Sequence, residues 1–116
     1  MQMLIRITGI GAIAAVCWGC ATPYDLSQKT PLLEFNSLKN SKEMASCISQ
    51  EWSKHLSPIS TLVNGDGFTV SLLHSVAGTD ATVVILPSEK GCHVRYAERI
   101  HALSPSWMKE AVEQCK

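Results

Sequence analysis

The chain has 116 residues, with ten Lys and Arg against ten Asp and Glu, and five cysteines. That length supports one small domain rather than two. Balanced charge supplies no basic surface for nucleic acid and no steering toward an acidic partner, and several cysteines in so short a chain suggest an oxidising compartment.

The chain opens with a short positive segment, Met1 to Arg6, followed by the apolar run Ile7 to Val16 and the small residue Gly19. A positive start, an apolar core of roughly 7 to 15 residues and a small residue before the cut make a secretory signal. The run is shorter than the roughly 20 apolar residues of a stable membrane span, so cleavage is the expectation and residues 1–19 read as a signal peptide. A redox reading of Cys17-Trp18-Gly19-Cys20 would need a preceding strand within a βαβ pattern, and only a short Gly- and Ala-containing stretch precedes it.

Gly19-Cys20 resembles the lipobox of bacterial lipoproteins, in which a small residue precedes the cysteine that becomes acylated. Cys17 and Trp18 depart from the aliphatic and small residues which that family prefers at those places. The resemblance implies a mature chain that begins at Cys20 with a diacylglyceryl group and an N-acyl chain, a pair of signals sufficient for stable membrane attachment. It also implies the outer membrane, periplasmic side, because Ala21 stands where an Asp would favour inner-membrane retention. The membrane partner is thus expected to act through lipid on Cys20.

Residues 20–39 show no sustained periodicity, and Pro23 and Pro31 interrupt any helix, so this stretch reads as a tether. Leu32, Leu33 and Phe35 are more apolar than a free linker needs, which predicts that part of it docks on the domain, with a short helix from Pro31 as one form. The domain proper is expected over residues 40–116. Asn40 followed by Glu43 reads as an N-cap with a capping box. Met44, Cys47, Ile48, Trp52 and Leu56 then recur at helical spacing, and Pro58 ends the helix.

Four strands follow, read as Ile59 to Val63, Phe68 to Val76, Ala81 to Pro87 and Cys92 to Arg99. Asn64-Gly65-Asp66-Gly67 is a strong hairpin turn, and Ala77–Asp80 and Ser88–Gly91 supply the other two. Closing each turn on its flanking residues pairs Ile59 with Leu72, Leu72 with Ile85, and Ile85 with Val94. One face then collects Ile59, Val63, Phe68, Val70, Leu72, Val83, Ile85, Val94 and Tyr96. The other collects Ser71, Thr82, His93 and Arg95 together with Leu62, Leu73, Val84 and Leu86.

Those four aliphatic residues on the second face form a candidate contact surface, because a contiguous apolar patch rimmed by polar groups often marks one. The alternative is that Leu32, Leu33 and Phe35 cover it. Ser104-Pro105 starts a last helix, in which Trp107, Met108, Ala111, Val112 and Cys115 recur at helical spacing. The expected fold is α+β: an N-terminal helix, a four-stranded antiparallel β-meander and a C-terminal helix, with the helices packed on one sheet face.

Once Cys20 is lipidated, three thiols remain, and sequence alone does not fix their pairing. The expectation is a Cys47–Cys115 disulfide joining the two helices, with Cys92 unpaired on the core face beside Val94. Over Cys47 to Cys115 the chain also resembles short bacterial lipoproteins of uncharacterised role. The shared features are a Cys and a Trp in the first helix, Gly67-Phe68-Thr69-Val70, Val94-Arg95-Tyr96, and a Trp and a Cys in the last helix. That resemblance implies no activity.

No chemistry-bearing motif stands out. His55, His74, His93 and His101 fall on separate elements, and Cys92 and His93 point to opposite faces of a strand, so no metal or other cofactor is expected. There is no nucleophile elbow, zinc-protease helix, phosphate loop or dinucleotide fingerprint, and the Asn64–Gly67 turn is too short for calcium. The expectation is a non-catalytic lipoprotein that binds another envelope protein or serves an envelope assembly, with no nucleic-acid partner. A small inhibitor or immunity lipoprotein acting on a periplasmic hydrolase or toxin is the alternative.

Overall fold

The computed structural model describes residues 23–74 and 78–116. The expected signal peptide and Cys20 lie outside the described residues. In chain order the elements are α1 (Pro23–Ser27), β1 (Leu33–Ser37), α2 (Ser41–Ser53), β2 (Ile59–Asn64), β3 (Gly67–His74), β4 (Gly78–Ser88) and β5 (Gly91–Glu98). A 3-10 turn (His101–Leu103) and α3 (Ser106–Gln114) complete the chain. The fold is α+β, built on one antiparallel sheet of order β1-β5-β4-β3-β2.

The sheet has five strands rather than the four expected, because part of the stretch read as a tether is a strand. Leu33 and Phe35 alternate with Glu34 and Asn36, and β1 pairs antiparallel with β5 so that Leu33 lies opposite Tyr96 and Phe35 opposite Val94. The two apolar side chains therefore extend the core face instead of covering the other one. No helix starts at Pro31.

Asn40 caps α2 as its position predicts: its side-chain oxygen accepts from the Glu43 amide at 2.8 Å, and its Nδ2 donates to the Glu43 carboxylate at 2.7 Å. Met44, Ala45, Ile48 and Trp52 form the buried stripe of this helix. The helix stops at Ser53, earlier than Pro58 alone would require, and Leu56 takes a left-handed φ of 57° with its side chain 94% exposed. Leu56 thus leaves the helical face assigned to it. Ser57 must be extended ahead of Pro58, so the chain reverses one residue earlier, at a backbone cost that a leucine bears poorly.

The β2–β3 hairpin closes with Asn64 opposite Gly67, and Gly65 has a φ of 61° at the first central position, where type II′ turns need glycine. The β2–β3 and β4–β5 registers are those expected, with Ile59 opposite Leu72 and Ile85 opposite Val94. The β3–β4 register is not. Leu72 lies opposite Ala81 rather than Ile85, and the ladder shifts between Leu72 and Leu73 so that Leu73 meets Thr79. Gly78, Thr79 and Asp80, expected in a turn, belong to β4, and Thr79 is buried. From Phe68 to Leu72 the displacement spans an even number of residues, which leaves the side-chain faces unchanged there; past Leu72 the further one-residue shift makes it odd.

The core is a single cluster in which Met44, Ile48 and Trp52 of α2 and Met108, Ala111 and Val112 of α3 meet Val70, Val83, Ile85, Val94 and Tyr96 of the sheet. The buried Trp52 indole N–H donates to the Met108 carbonyl at 3.0 Å, so burying the ring leaves no orphan donor. Val63, expected on this face, is 75% exposed at the sheet edge. The helix α3 begins at Ser106 with Pro105 as its cap, while Ser104 turns its hydroxyl to the Ile100 carbonyl.

Cys47 and Cys115 form a disulfide across a sequence separation of 68 residues, and Cys92 is free and buried. Lys39 donates its ammonium to the carbonyls of Cys115 and Lys116, placing a cation at the carbonyl end of α3.

The helices do not all lie on one face. Leu26 of α1 is 2% exposed and shares a crevice with Thr82, Val84 and Arg95, whose positions alternate with core residues Val83, Ile85 and Val94. The second face is therefore partly covered, by a helix from the stretch read as a tether.

Candidate contact surface

The registers align one cross-strand row on the second face: Leu62, Thr69, Val84, Arg95 and Glu34, one residue from each strand from β2 to β1. Leu62, Thr69, Val84 and Arg95 of this row floor a groove of about 400 Å³ that also includes Leu86. Ser27 and Gln28 at the end of α1 wall it on one side, and Val63 and Asn64 of the β2–β3 hairpin on the other. Three of the four residues proposed as a contact surface, Leu62, Val84 and Leu86, are thus brought together. Leu73 is not among the lining residues, because it sits beyond the ladder shift toward the other end of β3.

The groove is apolar toward β2 and charged toward β1. Leu62 and Leu86 remain 55% and 39% exposed. At the other side Arg95 Nε lies 3.6 Å from Glu34 Oε2, with both side chains nearly half exposed. His93 completes this polar side: its Nδ1 is 2.8 Å from Asn36 Oδ1 and its Nε2 is 3.0 Å from Glu34 Oε1. If both ring nitrogens donate, the ring is an imidazolium; with the Asn36 amide turned over, a neutral ring is satisfied equally well. In either form His93 joins β5 to β1, and ligation of a metal would require breaking one of those bonds.

The sequence reading missed two features. One is Arg95 as a groove residue: the expected β4–β5 register already sets it opposite Val84 on the second face, while its partner Glu34 comes from the strand β1 that the sequence reading did not assign. The other is Glu98, a buried carboxylate at the end of β5. The Tyr96 hydroxyl donates to its Oε1 at 2.6 Å, and His101 Nδ1 lies 2.7 Å from its Oε2. Burial is the main cause that raises the Tyr96 phenol above its usual range, and its bond to the Glu98 carboxylate and that group's charge act in the same direction. This cluster ties the 3-10 turn to the sheet. It offers no nucleophile, and a phenol that keeps its proton is a poor base.

The other residues singled out have local roles. His55 stacks on Trp107 at 3.8 Å, so Trp107 is a half-buried platform rather than core. Burial raises the Cys92 thiol above its ordinary range, with Lys39 opposing weakly, so the thiol stays protonated and inert. Among the described residues no group of three or more His, Cys, Asp or Glu could hold a metal ion. No helix among them is long and apolar enough to cross a membrane.

Comparison with protein-family models, curated proteins and solved structures finds no match for this chain. No relative's site residues therefore map onto these positions, and the chemistry of the face rests on its own geometry.

Proposed function

We propose that this protein is a lipid-anchored accessory of a bacterial envelope, attached through Cys20 on the periplasmic side of the outer membrane, which holds another envelope protein in the groove on its second sheet face. The reading is carried by the groove itself: an open apolar floor of Leu62, Val84 and Leu86 that the short helix α1 leaves uncovered. The charged side, where Arg95 and Glu34 already face each other, adds orientation more than affinity, since exposed ion pairs contribute about 0–1 kcal/mol. A volume of this size, open to solvent and apolar on one side, suits a protruding side chain or short segment of a partner better than an enclosed small molecule.

The test has two arms. Replacing Cys20 by Ser should move the protein from the membrane fraction to the soluble fraction, and unchanged partition would sink the anchor. Crosslinking in intact envelopes, followed by capture, should recover a partner with the parent chain and lose it with Leu62→Asp or Leu86→Asp. Both substitutions sit at exposed positions and spare the core. A partner retained by both variants would show that the groove is not the contact. A hydrolase or toxin as the sole partner would turn the reading toward an inhibitor or immunity protein.

A further inference from the structure

The sheet edge at β2 differs in kind from the edge at β1. β1 carries Glu34 next to its central residue Phe35, and the Lys116 ammonium sits 5.0 Å over the Phe35 ring. Charge of this sort is a usual protection of an exposed edge. β2 has none of it. Ile59-Ser60-Thr61-Leu62-Val63-Asn64 contains no charged residue and no proline, and its last four residues are exposed. Its ladder with β3 runs from Ile59–Leu72 to Asn64–Gly67 with no shift, so no bulge turns the edge away. Among the described residues β2 has a neighbour on one side only.

The hairpin turn fixes which backbone groups are free. A two-residue loop between Asn64 and Gly67 makes that closing pair hydrogen-bonded, and alternate residues then face the partner strand. Asn64, Leu62 and Ser60 spend their N–H and C=O on β3. Val63, Thr61 and Ile59 direct theirs outward.

We infer that β2 pairs antiparallel with β2 of a second copy about a two-fold axis at Thr61, giving one continuous ten-stranded sheet. Five strands come from each copy. The strand is complementary to itself in that register. Thr61 meets Thr61, Ile59 meets Val63 in both directions, and all three are the residues whose main-chain groups point outward. Aliphatic pairs and Thr–Thr pairs across antiparallel strands are favourable, and an uncharged strand opposes no like charges when it meets its copy. Val63, 75% exposed at the edge, gains the apolar neighbour it lacks. Association stops at two because each outer edge is then the charged β1, so the contact is isologous and closed.

A six-residue edge buries less than a standard interface, so the dimer is weak in solution. Attachment of both copies to one membrane, as proposed above, would raise their effective concentration. The pairing itself needs no anchor; the groove reaches β2 at Leu62, Val63 and Asn64, whereas Leu86 lies on β4 away from the seam and reports on the groove alone.

Sedimentation equilibrium of the full chain over a wide concentration range tests the inference. A monomer–dimer equilibrium is expected, with a dissociation constant raised about tenfold or more by Thr61→Pro and by Val63→Lys. Proline is tolerated on an edge strand where the N–H faces solvent, so Thr61→Pro removes an outward donor and leaves the β2–β3 ladder intact. Should Thr61→Pro unfold, Val63→Lys at its exposed position still decides the matter. Leu86→Asp and Leu103→Lys should leave the constant unchanged, which separates this contact from the groove. A monomer at every concentration overturns the inference, as does a dimer indifferent to both β2 variants or growth past two copies.

Discussion

Glu98 shows how a single residue sets a pH limit on this fold. Its carboxylate, 2% exposed, depends on the Tyr96 hydroxyl and on His101 for its hydrogen bonds. Ionising Tyr96 would remove the donor and set two anions together inside the core. Its folded pKa therefore lies above the unfolded value near 10, and the folded state holds the phenolic proton longer. Stability from this source is fully present below about pH 10 and is lost above it, by up to about 1.4 kcal/mol per pH unit. The buried Cys92 thiol acts in the same sense from a somewhat lower pH, because its folded pKa is also raised. Urea midpoints of the parent chain and Tyr96→Phe between pH 8 and 11 check this. The variant should be weaker at neutral pH by about 1–3 kcal/mol, since Glu98 loses a donor, yet decline less steeply in alkali. Equal alkaline slopes would remove Tyr96 from the account.

At the scale of elements, β1 is the informative case. Its alternation of Leu33, Phe35 and the polar Glu34 and Asn36 is a strand pattern, but it spans only five residues and stands between two segments without periodicity. What makes it a strand is the free edge of β5, and that edge depends on Gly91. A Cβ at Gly91 would overlap the Ser37 carbonyl and crowd the Leu38 backbone. Gly91→Ala should therefore push the end of β1 off the sheet, at a cost of about 1–3 kcal/mol. Hydrogen exchange should quicken at the β1 amides paired with β5 while β2 and β3 keep their protection. Uniform acceleration over the sheet would mean that β1 is not the element Gly91 holds. The β3–β4 misregister has a related cause. Gly78-Thr79-Asp80 reads as turn chemistry in isolation, yet burying Thr79 against the fold favours extending β4 through it.

Across the whole molecule, the disulfide holds together parts that would not persist alone. α3 has nine residues, too few for a stable isolated helix, and it depends on Met108, Ala111 and Val112 packing against the core. Cys47–Cys115 ties its end to α2, and the loop-entropy model assigns a closure of this length roughly 4 kcal/mol, although that mechanism is disputed. A domain of this size has only about 5–15 kcal/mol in total. Replacing both cysteines by Ala should lower the urea midpoint by an amount equivalent to about 2–5 kcal/mol, with α3 losing amide protection first. A variant as stable as the parent would show that core packing alone holds α3.

The sequence by itself determined α2 and its Asn40 cap, two of the three hairpin registers and the face of most strand residues. These are local or period-two properties, written in neighbouring side chains. Tertiary structure alone decided the fifth strand, the β3–β4 offset, the exposure of Leu56 and the position of α1 on the second face, because each depends on a surface supplied by residues far away in the chain. The groove belongs to both. Leu62, Val84 and Leu86 were legible as aliphatic residues on one face, and Val63 and Asn64 come with the β2–β3 hairpin, while the Ser27–Gln28 wall and the Arg95–Glu34 pair exist only where α1 and β1 return to the sheet.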